Sequence, residues 1–197
     1  MKPIGKLLKS NMNYYKALNK QTFTSGNYSI VPLRMEDRYA IMKWRNEQIY
    51  HLRQHKSLTK EDQDKYFETI VANMFKKAQP GQILFSYLEN DICIGYGGLV
   101  HINWIDKNAE LSFIMNTELE KNKFQKHWEI FLNLIEQVAF ADLKLHKIST
   151  YAFDLRPYLY NLLLESGLKE EARLKDHCYF EGKYIDVVIH SKINNLC

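Results

Sequence analysis

Three observations predict an α+β domain built around one mixed, mostly antiparallel sheet flanked by helices. Three apolar runs follow one another between residues 83 and 115, separated only by short polar turns. Two long segments carry apolar residues at helical spacing. The 197 residues are 46% hydrophobic, with 13 Tyr and 10 Phe, enough to fill the core of one ordinary domain.

The elements can be justified in order. After Ser25-Gly26-Asn27, Tyr28 to Leu33 reads as a short strand. Glu36 to Asn46 follows as a helix whose opening acids suit the positive end of its dipole. Thr59 with Asp62 has the form of a capping box, with Asp in place of Glu. Tyr66, Phe67, Ile70, Val71, Met74 and Phe75 recur behind it at helical spacing until Gln79-Pro80-Gly81. Ile83 to Leu88, Ile92 to Ile105 and Ala109 to Met115 then form an antiparallel meander, turned by Glu89-Asn90-Asp91 and Asp106-Lys107-Asn108. Gly95, Gly97 and Gly98 in its middle strand point to a bulge or a close backbone approach.

Phe124, Trp128, Phe131, Leu132, Ile135, Val138 and Ala139 mark the next helix. A strand from His146 to Phe153 and a helix from Pro157 to Ser166 come next, with Gly167 past the helix end. Strands around Ala172 to Phe180 and Tyr184 to Ser191 close the domain.

Charge divides the chain. Residues 1–20 hold Lys2, Lys6, Lys9, Lys16 and Lys20 and no acid, so the formal +4 belongs to this segment. Residues 1–27 therefore read as a basic N-terminal arm and residues 28–197 as a single domain. A folded part without a basic face argues against nucleic-acid binding. No apolar run is long enough for a transmembrane segment, and no secretion signal is visible, so a cytoplasmic protein is expected. Cys93, Cys178 and Cys197 are too few and too scattered for a disulfide framework or a zinc site. His51 and His55 have metal-ligand spacing but no evident third ligand, so no metal is expected.

Several local signals resemble one family. Lys43-Trp44-Arg45-Asn46, Cys93-Ile94-Gly95-Tyr96-Gly97-Gly98, Asn108-Ala109-Glu110-Leu111-Ser112-Phe113-Ile114 and Leu145-His146-Lys147-Ile148 occur in the order found in GNAT acyltransferases. So do Glu165-Ser166-Gly167-Leu168 and Glu181-Gly182-Lys183-Tyr184-Ile185-Asp186. The resemblance spans about Tyr28 to Ile193 and is nearest to the branch that acetylates bacterial amino sugars and ribosomal-protein N-termini. Two departures stand out. The family's glycine-rich phosphate loop reads Glu120-Lys121-Asn122-Lys123-Phe124-Gln125-Lys126-His127-Trp128, without glycine. The late-helix tyrosine that protonates the departing thiolate is Leu163 here, with Tyr160 one turn earlier on the same face.

The resemblance implies an N-acetyltransferase that moves the acyl group of acetyl-CoA directly to the amine of a small acceptor, an amino sugar or its nucleotide-linked form. A protein N-terminus is the alternative acceptor, and a GNAT-shaped binding module without catalysis is the alternative class. Backbone groups of Phe113, Ile114 and Met115 would receive the acetyl oxygen and the pantetheine arm. Lys121, Lys123, Lys126 and His127 would hold the phosphates through side chains or form only a solvated loop. Glu110 would draw a proton from the amine or stand as a plain strand carboxylate, and Tyr160 would supply the proton to the thiolate. Trp44, Arg45, Asn46 and His101 are candidates for the acceptor pocket, although Trp44 also suits the core. The implied partners are a small-molecule amine and, left open, a second copy in a homodimer.

Overall fold

A computed structural model describes residues 13–52 and 54–195. Strands β1 (Phe23–Ser25) and β2 (Tyr28–Pro32) form a hairpin around Gly26, whose positive φ of 58° the turn requires. Helix α1 (Arg38–Glu47) follows. Helix α2 (Lys60–Tyr66) then runs through a wide π turn at Phe67–Val71 into α3 (Ala72–Lys76). The capping box forms as the sequence predicts: Thr59 Oγ1 accepts the Asp62 N–H at 3.1 Å, and the Thr59 N–H donates to Asp62 Oδ2 at 3.1 Å.

Strands β3 (Ile83–Glu89), β4 (Ile92–Asn103) and β5 (Asn108–Met115) make the expected meander. Helix α4 (Thr117–Glu136) leads through a π turn to β6 (Lys147–Phe153). A 3-10 turn at Pro157–Leu159 opens α5 (Tyr160–Glu165), and β7 (Lys169–Phe180) pairs with β8 (Lys183–Ile193). The eight strands lie in the order β1-β2-β3-β4-β5-β6-β8-β7. Every neighbouring pair is antiparallel except β5 with β6, which is parallel. Among the described residues no helix is long and apolar enough to cross a membrane.

Two expectations need correction. The basic arm does not extend to residue 27, because Tyr15, Leu18 and Phe23 are buried in the core. The Tyr15 hydroxyl donates to Leu84 O at 2.7 Å and accepts the Leu84 N–H at 3.0 Å, fastening the early chain to β3. Lys2, Lys6 and Lys9 lie outside the described residues. Second, residues 120–128 are not a loop. Asn116, directly after β5, caps α4 by accepting the Glu118 N–H at 3.0 Å, and Glu118 and Glu120 suit the first turn. The helix therefore begins at Thr117 and takes Lys121, Lys123, Lys126 and His127 into its body.

The face of the sheet under α4 is aromatic. Phe113 of β5 stacks on Phe131 of α4 at 4.2 Å, and Tyr87 of β3 meets Phe131 edge-on at 5.8 Å. This packing needs the absence of a side chain on β4. A Cβ built on Gly97 would stand 2.1 Å from Ser112 O and 2.9 Å from Phe131 Cζ. Gly97 is thus a close approach between β4, β5 and α4, which holds β5 in place for the site described next, while Gly98 closes against Ile83 of β3.

We expect Gly97→Ala to lower stability by about 1–3 kcal/mol, because backbone and a packed ring must both move. Gly81, with nothing within 4 Å of its added Cβ, should tolerate alanine within about 0.5 kcal/mol. Denaturant midpoints of the two variants check the contrast.

Candidate active site

The parallel pair at the centre of the sheet is short. Strands β5 and β6 are in register only at Asn108 with Lys147, Ala109 with Ile148 and Glu110 with Ser149. Beyond Glu110, β5 stays paired with β4 as far as Met115, while β6 continues beside β8 to Phe153. The two strands have parted, and a cleft of about 360 Å³ opens between them. Its walls include Ser112, Phe113 and Ile114 from β5, Thr150 and Tyr151 from β6, and Tyr160 and Leu163 from α5.

Glu110 sits where the strands diverge, facing His101 with His101 Nε2 3.9 Å from Glu110 Oε2. His101 occupies a bulge in β4, where the register to β5 shifts and its φ is +51°. A bulge of this kind re-aims a side chain out of the ladder. Arg45 reaches the same cleft from α1. Its Nη1 donates to the Tyr96 hydroxyl at 2.7 Å and its Nε to Gln54 Oε1 at 3.1 Å, so the guanidinium is fixed.

Glu110, Tyr160, Phe113, Ile114, Arg45 and His101 are therefore brought together. The other candidates are not. Trp44 is buried in the core. Asn46 braces the segment after α1, accepting the Leu58 N–H at 2.8 Å and donating to Leu58 O at 2.9 Å. Met115 is buried away from the cleft, with its carbonyl accepting from Gln48 at 2.9 Å. Lys121 pairs with Glu118 at 2.9 Å, and Lys126 lies over the Tyr28 ring at 5.3 Å. Lys123 is exposed on the same helix. His127 is buried, 3.1 Å from the Tyr87 hydroxyl, and burial lowers its pKa. The four do not form a phosphate-gripping turn, because α4 is already helical there.

Tyr160 also departs from expectation. Its hydroxyl donates to Asp154 Oδ1 at 2.5 Å, and Asp154 is held in turn by Arg173. Burial first, and the Asp154 carboxylate second, push the phenol well above its usual range. A phenol that is harder to ionise and already bound through its proton is a poor donor to a leaving group. The bond instead ties α5 to the end of β6.

Sequence reasoning missed two residues of the cleft, His51 and Arg156. Gln48, buried beside His51, donates through Nε2 to Met115 O at 2.9 Å and offers Oε1 to His51 Nε2 at 3.2 Å. Facing an amide oxygen, His51 Nε2 is the donor of this contact. Burial, reinforced by the Arg156 charge, pushes its pKa down to about 3. His51 was visible as half of a histidine pair, but His55 is exposed and the pairing carried no signal for the cleft.

A splayed pair of central strands with a carboxylate at the vertex defines an acyltransferase fold. The model of the acetyltransferase (GNAT) domain matches residues 30–189, and the chain belongs to that family. Among its relatives is the spermidine N(1)-acetyltransferase of Vibrio cholerae, 30% identical over 106 residues, which are 52% of this chain and 60% of that protein. The matched region thus spans about 60% of the curated relative's length. The crystal structure of the V. cholerae spermidine N-acetyltransferase with CoA and spermine superposes with a TM-score of 0.75 at 20% identity, covering 86% of this chain and 97% of that one. A dodecameric form of the V. cholerae enzyme gives 0.70 at 22%, covering 86% and 95%. At these identities the structural likeness carries the fold.

The depressed His51 pKa sets a pH dependence. The unfolded chain takes up this proton near 6.5 and the folded chain only near 3, so this contribution to stability is present above 6.5 and is lost as pH falls through that window. Ring NMR should show His51 neutral down to about pH 4, and His51→Gln should flatten part of the loss of stability on acidification. A His51 ring that titrates near 6.5 contradicts the burial argument.

Proposed function

We propose that the chain is an acetyl-CoA-dependent N-acetyltransferase whose acceptor is a small polyamine. The observation that carries this reading is the parting of β5 and β6 beyond Glu110 and Ser149, which leaves a cleft of about 360 Å³ with a carboxylate at its apex. The edge of β5 at residues 111–114, no longer paired with β6, offers main-chain groups to the acyl oxygen. The slot suits the linear arm of the donor. A backbone cradle for its phosphates is missing from residues 120–128, whose amides serve α4.

Glu110 takes the proton that the ammonium must lose, directly or through water. The free amine then forms the new C–N bond as the thioester C–S bond breaks; the nitrogen gives up its second proton to water, and the thiolate takes one from water at the open mouth. His101, largely exposed beside Glu110, and the fixed Arg45 shape the acceptor side. The polyamine replaces the amino sugar expected from the sequence because the related V. cholerae enzyme is described as a spermidine acetyltransferase and was crystallised with spermine.

A second reading, a GNAT-shaped binding module without catalysis, draws on the helical residues 120–128 and on Leu163 lining the cleft. Calorimetric titration with acetyl-CoA and thiol release with spermidine, spermine, a nucleotide-linked amino sugar and short peptides separate the possibilities. Binding with turnover on polyamines supports the proposal. Binding without turnover on any acceptor favours the module, and turnover confined to sugars or peptides removes the polyamine.

Within the enzyme reading, Glu110→Gln should lower kcat by about 10²–10⁴-fold while acetyl-CoA binding persists. Tyr160→Phe should lower kcat by less than about tenfold, because its proton is already engaged by Asp154. A larger loss in Tyr160→Phe than in Glu110→Gln would reverse the two roles.

A further inference from the structure

A second cavity, of about 510 Å³, lies against the first at the start of α4. The two share Phe124 and Leu159 as a common wall, so these residues form the neck between them. One ion pair crosses that neck. Arg156, which lines the cleft, donates from Nη1 to Oε1 of Glu120, which lines the second cavity, at 3.2 Å. Both side chains are about four-fifths buried, with relative exposures of 22% and 19%.

The donor proposed above brings a thioester at one end and phosphates at the other. With the thioester beside Glu110, its phosphates must lie beyond the neck, in the second cavity. The amides of residues 118–120 at the start of α4 are already taken, since the Glu118 N–H donates to Asn116 Oδ1 at 3.0 Å and the Leu119 and Glu120 N–H groups donate to Asn116 O at 3.0 and 2.9 Å. Of the cations lining either cavity, Arg45 is tied to Tyr96 and Gln54, and Lys121 is exposed and paired with Glu118. Among the described residues, Arg156 is the cation that stands at the neck, and its planar fork suits a phosphate.

We propose that Arg156 anchors the donor's phosphate and that Glu120 is its placeholder, exchanged for the phosphate when the arm threads between Phe124 and Leu159. This inference rests on the acetyl-CoA reading and names the residue that replaces the missing glycine loop. The exchange is chemically reasonable at the Glu120 end. Burial raises the Glu120 pKa against the opposing pull of Arg156, so once Arg156 turns away the carboxyl is the more readily neutralised by a proton.

The test compares acetyl-CoA with S-acetylpantetheine, which has the thioester arm and no phosphate, by calorimetry on the wild type, Arg156→Gln and Glu120→Gln. We expect Arg156→Gln to weaken acetyl-CoA by about tenfold to a hundredfold, the range for losing a charged hydrogen bond, and to leave S-acetylpantetheine unchanged. Glu120→Gln, which keeps Arg156 and removes its competitor, should bind acetyl-CoA severalfold more tightly. Equal losses for both ligands in Arg156→Gln, no loss for either, or no gain in Glu120→Gln overturn the assignment. A wild type that binds acetyl-CoA while these contrasts fail removes only the role of Arg156. A folded wild type that binds neither ligand removes the acetyl-CoA reading itself.

Discussion

The structure depends on a constraint of hydrogen-bond pairing: β5 and β6 stay together for three residue pairs and then part. A main-chain edge in the middle of a sheet is costly unless something satisfies it, so the separation must be maintained from both sides. On one side β5 is held to β4 by continuous pairing and by the approach that Gly97 permits. On the other, β6 is carried away by its ladder with β8. Helix α5 then spans the gap, with Tyr160 bound to Asp154 just past the end of β6. The cleft is therefore a consequence of how two half-sheets are fastened, and the side chains in it arrive on elements already fixed.

That arrangement explains which parts were legible in the sequence. Alternating apolar runs and their turns place the meander, because period and turn chemistry are local. The Thr59–Asp62 box and Pro157 place helix starts for the same reason. Glu110 and His101 were accessible as candidates because they flank one hairpin, opposite each other across neighbouring strands. The pairing of β5 with β6 involves segments about forty residues apart, and no local pattern reports where a parallel pair comes undone. His51 and Arg156 meet the cleft from separate stretches of chain, so their convergence is a property of the tertiary fold alone.

The errors have equally physical causes. Residues 120–128 contain no Gly or Pro and are more than half Glu, Lys and Gln, and the expectation of a loop came from the family pattern rather than from their propensities. Asn116 needed only one residue after β5 to cap a helix, which leaves no room for a turn. The early segment was assigned to an arm because of its lysines. Tyr15, Leu18 and Phe23 were the contrary signal, and burial of three such side chains outweighs the solvation of a few neighbouring charges.

The length of α4 has the widest consequence for function. A glycine loop ahead of a helix presents free amides and the positive end of the dipole to an anion. Here the added helical turns engage those amides, and Glu118 and Glu120 already satisfy the positive end of the dipole with their own negative charge, which disfavours a further anion there. An anion can still be favoured there, but only through a side chain that carries a full charge and is released from its own partner at the moment of binding. Arg156 faces Glu120 across the neck under that condition, so recognition of the donor becomes an exchange of ion pairs rather than the filling of a preformed cradle. Such an exchange has a smaller net gain than a cradle, because a partially buried pair must first be broken. Donor affinity in this chain is then governed by the balance between Glu120 and phosphate for one guanidinium.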